Sequence, residues 1–160
     1  MIHLGEIVDE DVHIRPAEQP DLADLKELDE AVFAHLAYPY FALRQLFDLF
    51  AEWWLVAAHP DGLRGYSLGV PTFDRGRAWV MGLGVRAEFQ GRGYGRLLLI
   101  SSLRKLADIG VRDVYLTVEP SNRNAISLYH ELGFAVDRLG RGYFGPGEDR
   151  LVMIAQLRGS

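Results

Sequence analysis

Cysteine is absent from the 160-residue chain. That excludes a disulfide scaffold, cysteine-ligated zinc and a thiol nucleophile, and it leaves the redox compartment without a marker. Long apolar runs are missing too: the longest aliphatic one is Leu97–Ile100, far short of the ~18 residues of a membrane span. The stretch Met1–Asp11 is acidic and lacks the basic-then-apolar order of a secretory leader. The expectation is therefore a cytoplasmic protein without a membrane partner. Basic charge is not in excess either. A formal charge of −5 argues against nucleic acid, whose phosphates need a basic surface. No repeat, low-complexity tract or Pro/Gly/Ser-rich linker divides the chain, and its length suits a single domain over residues 1–160. What it does contain is apolar: 49% of the residues, enough to offset the entropy of ordering.

Charge is unevenly distributed. Residues 1–60 carry twelve acids against Arg15, Lys26 and Arg44, a balance of −9, and residues 61–160 carry ten acids against fourteen bases, +4. A solvated helix face near the N-terminus explains this. So does a first half that meets a cation and a second that meets an anion.

Periodicity gives the elements. A strand near Val12–Arg15 ends at Pro16, and Asp21 reads as the cap of a helix with Leu22, Leu25, Leu28 and Val32 at helical spacing. Beyond Tyr38-Pro39 a second apolar stretch carries Leu43, Leu46, Phe47 and Phe50. Trp54–Ala58 and Arg64–Val70 read as strands around the turn His59-Pro60-Asp61-Gly62. Ala78–Val85 is nearly continuous in apolar residues, which predicts a central strand buried on both faces. A helix with Leu99, Leu103 and Leu106 stops at Gly110. Val114, Leu116 and Val118 alternate as a strand does. Ala125, Leu128, Tyr129 and Leu132 share one helical stripe that Gly133 ends. Phe134–Arg138 and Leu151–Leu157 close the chain. The order β-α-α-β-β-β-α-β-α-β-β predicts an α/β (α+β) fold, a mixed sheet flanked by helices.

The most informative feature is the turn Gln90-Gly91-Arg92-Gly93-Tyr94-Gly95 between a strand and a helix. Glycines allow sharp backbone turns, and the helix that follows adds unpaired N–H groups and a positive dipole end. Together they suit a phosphate or pyrophosphate, and Arg86, Arg92 and Arg96 add attraction for an anion. The dinucleotide fingerprint fails, because a GxGxxG begun at Gly91 meets Arg96. GxxxxGK[ST] is absent, and the literal GxGxxG at Gly140, Gly142 and Gly145 leads into Pro146-Gly147 rather than a helix.

These residues resemble the GNAT superfamily of acetyl-CoA-dependent N-acetyltransferases. Its pyrophosphate pattern Q/R-x-x-G-x-G/A is matched by Gln90, Gly93 and Gly95. A second pattern, N-x-x-A-x-x-L-Y-x-x-x-G-F, is matched by Asn122, Ala125, Leu128, Tyr129, Gly133 and Phe134. The resemblance implies a mostly antiparallel sheet with about four helices and acetyl-CoA as acyl donor, with no metal. It implies that Gln90, Gly91, Arg92, Gly93, Tyr94, Gly95 and Arg96 hold the pyrophosphate, and that Leu83 and Val85 pair through their backbone with the pantetheine arm. Asn122 would contact that arm, and Tyr129 would lie by the thioester sulfur and protonate the departing thiolate. Attack of an amine on a thioester needs donors for an oxyanion and an acid for the thiolate, and no covalent intermediate. Without the motif, Tyr129 reads as a core tyrosine on its stripe and Asn122 as a helix cap.

Within the superfamily the chain looks most like the protein N-terminal acetyltransferases, including those that act on ribosomal proteins. Met81-Gly82-Leu83-Gly84-Val85, Tyr38-Pro39-Tyr40-Phe41 and Gly142-Tyr143-Phe144 followed by Glu148-Asp149 carry that likeness. It implies that Tyr38, Tyr40 and Tyr143 flank the acceptor. The chain departs from the group at Thr117, where a glutamate or histidine often deprotonates the amine. A threonine hydroxyl positions water but is no base at neutral pH. Glu119, two residues on and on the same strand face, is the substitute; His130 follows Tyr129 and points to another side of its helix. Three functions stay open: an N-acetyltransferase for a peptide or protein N-terminal amine, one for a small amine such as a polyamine, amino acid or antibiotic, and a non-catalytic acyl-CoA-binding regulatory domain. Dimers are common in the superfamily, so a homodimer stays open as well.

Overall fold

The computed structural model describes residues 11–158; the acidic stretch up to Glu10, on which the leader argument rests, lies outside the described residues. In chain order the elements are β1 (His13–Pro16), α1 (Leu22–Phe33), α2 (Tyr40–Phe50), β2 (Trp54–His59), β3 (Gly62–Pro71), β4 (Arg77–Val85), α3 (Tyr94–Asp108), β5 (Asp113–Val118), α4 (Arg123–Glu131), β6 (Ala135–Gly140) and β7 (Arg150–Gln156). This is the order read from the sequence. Seven strands form one sheet in the order β1-β2-β3-β4-β5-β7-β6. β4 and β5 run parallel, whereas β1–β2, β2–β3, β5–β7 and β7–β6 run antiparallel. The described residues divide into two compact units: the chain up to Leu68 together with Gly82–Ser102, and Gly69–Met81 together with the chain from Leu103 on.

In the first unit α1 buries Leu22, Leu25 and Leu28, the spacing its sequence carries. Complete burial of Leu25 and Leu28 contributes about 1.5–3 kcal/mol for each side chain. Asp21 does precede α1, but its side chain does not cap it. The carboxylate instead takes the Arg15 guanidinium at 2.7 and 3.0 Å and the Glu18 N–H at 2.7 Å. Burial pushes this carboxyl up, and those bonds outweigh it and hold Asp21 below its ordinary value. A second cluster joins Val12, Leu55, Ala57, Tyr94 and Leu98, so the start of α3 is anchored on β2. Deeper in the same unit, the Ser67 and Ser102 hydroxyls satisfy each other at 2.8 Å.

In the second unit, Arg77–Val80 pair with Asp113–Leu116 and Asp113–Val118 pair with Gln156–Leu151. Val114, Leu116 and Val118 are buried and pair with or neighbour the buried Met153 and Ala155, and Val152 is buried on the other face, opposite Thr117. Asp137 sits in a bulge of β6, a feature that blunts an edge strand. Gly133 takes φ +95° and ends α4 as the sequence predicts.

One expectation needs correction. β4 is not buried on both faces: Ala78 and Val80 are buried, but Met81 is 41% exposed. The parallel ladder stops at Val80–Leu116, and two glycines occupy the second half of the strand. A side chain at Gly82 would strike the Tyr66 hydroxyl at 2.7 Å, and one at Gly84 would meet Val32 at 3.3 Å. The apolar run owes its continuity to these small residues and not to cover from both sides.

Candidate active site

The glycine turn lies in the first unit. Gly91 and Gly93 have φ of +79° and +89°, the left-handed region that glycine enters without penalty. A Cβ at either position would meet nothing within 4 Å, so backbone conformation alone demands glycine there. Gly95 is different: it already lies inside α3. The first helical bond runs from Leu97 N–H to the Gly93 carbonyl at 3.0 Å, which leaves the N–H groups before it without an intrahelical partner.

Side chains around the turn have divided tasks. The Tyr94 ring is buried in the β2–α3 cluster and meets Phe89 edge-on at 6.5 Å, so only its backbone serves the turn. Arg86 is no free cation, contrary to the sequence expectation: its guanidinium pairs with Asp24 and donates to the Leu63 carbonyl at 2.8 Å. Arg92 rests over the Phe89 ring at 5.4 Å, with Arg64 over the same ring at 3.8 Å. Gln90 donates its side-chain amide to the Val85 carbonyl at 3.0 Å, which ties the turn back to β4. Leu83 is half-buried against the β2–α3 cluster.

A buried carboxylate in this unit escaped the sequence reading. Asp29 on α1 is 1% exposed. It accepts the Tyr66 hydroxyl at 2.6 Å and the Tyr38 backbone N–H at 2.7 Å, and Lys26 donates to the Tyr38 carbonyl at 2.8 Å. The segment before α2 is thus pinned from both sides of Tyr38. Burial, and then the Asp29 charge, raises the Tyr66 phenol well above its ordinary value; the same two causes raise Tyr38. Both hydroxyls keep their protons at neutral pH. Tyr40 opens α2 and is half exposed.

The second unit holds the remaining candidates. Tyr129, on α4, is buried and packs on Phe134 with centroids 5.9 Å apart. Burial alone pushes its hydroxyl up to about 12, so it is a proton donor and not a base at neutral pH. Asn122 caps α4 by accepting the Ala125 N–H at 3.2 Å, the structural role open to it from sequence. Thr117 is half-buried on β5, opposite Val152. Glu119 lies one residue beyond β5, with its side chain 57% exposed and Oε1 3.6 Å from the Arg150 guanidinium. His130 is exposed where Tyr129 is buried, the divergence expected of successive helix positions. Tyr143 packs edge-on against Phe144 at 5.1 Å, in a turn where the Asp149 carboxylate accepts the Gly142 N–H at 2.7 Å.

A mycothiol acetyltransferase of Nocardiopsis dassonvillei is 40% identical over 91 residues, 57% of this chain and 26% of that protein. An N-alpha-acetyltransferase of Sulfurisphaera tokodaii is 34% identical over 89 residues, 55% of this chain and 53% of that protein. The chain therefore spans about a quarter of the first relative and about half of the second. Among solved structures, Ard1 from Thermoplasma volcanium has a TM-score of 0.85 at 19% identity, covering 92% of this chain and 99% of that one, a likeness of fold. The model of the Acetyltransferase (GNAT) family matches residues 20–134, a span that takes in the glycine turn, β5 and α4, and the chain belongs to that family.

Proposed function

We propose that the chain transfers the acetyl group of acetyl-CoA directly to a primary amine at a peptide or protein N-terminus, and that it does so in the cytoplasm. The observation that carries this reading is the Gln90–Gly95 turn, with two left-handed glycines opening a fifteen-residue helix. Such a turn presents unspent N–H groups and a positive helix end to a pyrophosphate. Residues 90–96 hold that group in this reading, the backbone of Leu83 and Val85 receives the pantetheine arm, and Asn122 contacts the arm beside its capping bond. The family and the N-alpha-acetyltransferase relative support the choice of donor and acceptor.

The chemistry follows from the residue types. The amine nitrogen bonds to the thioester carbonyl carbon, and the carbon–sulfur pair leaves with sulfur. The surplus proton on nitrogen passes to Glu119, directly or through water held by Thr117. Tyr129 donates a hydrogen bond to the departing thiolate. A hydroxyl raised to about 12 is a weaker acid than an alkyl thiol, so it shares its proton with the thiolate more readily than it surrenders it. Tyr38, Tyr40 and Tyr143 flank the acceptor.

The mycothiol acetyltransferase relative favours a second reading, transfer to a small amine. Release of free thiol from acetyl-CoA at pH 7.5, measured against matched peptides and a panel of small amines, separates the two. At that pH roughly a third of α-amines are neutral, against about one lysine amine in a thousand. With threonine in place of the usual carboxylate or imidazole at 117, a free N-terminus should react faster than an internal lysine. Faster lysine acetylation refutes the preference. Turnover confined to small amines establishes the second reading. Coenzyme A binding without turnover on any amine assigns a regulatory domain.

A further inference from the structure

Arg150 is the first residue of β7, and it is 6% exposed. A guanidinium is taken out of water only at high cost unless its donors are met. Here two N–H groups donate, to the Asp149 carbonyl at 2.7 Å and to Glu148 Oε2 at 3.0 Å, and the Nη2 that meets Glu148 also lies 3.6 Å from Glu119 Oε1. Its face lies 5.2 Å from the centre of the Phe144 ring. One buried cation thus joins the end of β5, the turn 141–149 and the start of β7. The turn is braced internally as well, with the Phe144 N–H on the Glu148 carbonyl at 3.2 Å.

We propose that Arg150 is a positioning residue, which holds Glu119 and the Tyr143–Phe144 turn in one fixed arrangement and thereby sets the acceptor end of the reaction. The inference rests on the role given to Glu119 above. Two carboxylates approach the same nitrogen from different segments, so removal of the cation leaves like charges facing each other and frees both segments. The Glu119 side chain is 57% exposed while one of its oxygens faces the guanidinium. It is oriented without being enclosed, as a group that receives a proton from an incoming amine requires.

A double-mutant cycle with acetyl-CoA and an acceptor peptide tests this. Arg150→Met keeps the apolar stem and removes the charge, and Arg150→Lys keeps the charge and loses the fork. Glu119→Gln should lower kcat about a hundredfold, within the usual range for a general base. Arg150→Met should lower kcat/KM for the peptide about tenfold with KM for acetyl-CoA unchanged, and should add little in the Glu119→Gln background, as coupled partners behave. Arg150→Lys should recover part of the loss and serves in its place should the methionine variant not fold. Hydrogen exchange across 141–149 and 119–122 should rise in the Arg150 variants, whatever their activity. Multiplicative losses in the double variant, or exchange unchanged in both segments, overturn the proposal. A silent Glu119→Gln overturns the role of Glu119 itself, and is distinguished by exchange that still rises when Arg150 is replaced.

Discussion

Removing one oxygen from the middle of the first unit isolates the worth of its buried carboxylate. Tyr66→Phe deletes the hydroxyl that donates to Asp29 at 2.6 Å and leaves the ring, which packs edge-on against Trp54 at 5.7 Å, in place. Asp29 is 1% exposed, so solvent does not replace the lost donor. A hydrogen bond to a charged acceptor contributes about 1.5–3 kcal/mol net. In a domain of this size each kcal/mol moves the midpoint by about 2–4 °C. The expected loss is therefore about 3–12 °C in Tm, read by far-UV circular dichroism and checked by urea denaturation with an unchanged m-value. Asp29→Asn is the companion variant. Its carboxamide can accept the Tyr38 N–H and donate to the Tyr66 oxygen, so it should cost less than Tyr66→Phe. A Tyr66→Phe variant within about 0.5 kcal/mol of the parent, the range of ordinary surface changes, refutes the reasoning.

Two further predictions concern the site. Gly93→Val places a β-branched residue at φ +89° and should cost about 1–3 kcal/mol of stability while weakening coenzyme A binding; unchanged affinity by calorimetry in the folded variant rejects the turn as the pyrophosphate site. Tyr129→Phe should lower kcat with acetyl-CoA affinity retained. It also has a signature in alkali: a hydroxyl raised to about 12 contributes stability that is complete below the ordinary tyrosine value of 10 and is lost as pH climbs from there towards 12. Raising the pH from 8 to 11 should therefore cost the parent on the order of 1 kcal/mol more than the phenylalanine variant; parallel losses in urea titrations at the two pH values exclude a buried hydroxyl at 129.

Legibility in the sequence followed local rules where local rules decide. Gly91 and Gly93 announce their backbone, and Leu99 and Leu106 announce the buried side of α3. Tyr129 was found through its motif, and its burial agrees with the core reading of the same stripe. Asp29 was hidden because it stands among five other acids between Glu18 and Glu30, and nothing in composition separates a solvated carboxylate from one that collects a tyrosine 37 positions away. Its spacing was the available signal: four residues after Leu25 and three before Val32, it lies at the edge of the apolar stripe. Arg150 was equally quiet, although alternation places it with Val152 on one side of β7. Its partner Glu119 is 31 positions away, and only the antiparallel β5–β7 register brings the two strand ends together. The error on β4 has another source. Hydropathy counts glycine as neutral and reads the run as uniformly covered, whereas Gly82 and Gly84 mark places where neighbours press close.

The two ways in which arginines are held near the glycine turn have unequal consequences for an arriving anion. Arg86 spends its charge on Asp24, and to a distant phosphate the pair looks like a dipole. Arg92 is steadied by a ring face, which orients a guanidinium without neutralising it or consuming its N–H donors. The aromatic ring acts as a parking place that leaves the cation in full currency. Ionic strength should therefore act on anion capture through Arg92 more than through Arg86, and Phe89, which carries no charge at all, becomes a determinant of the turn's electrostatics.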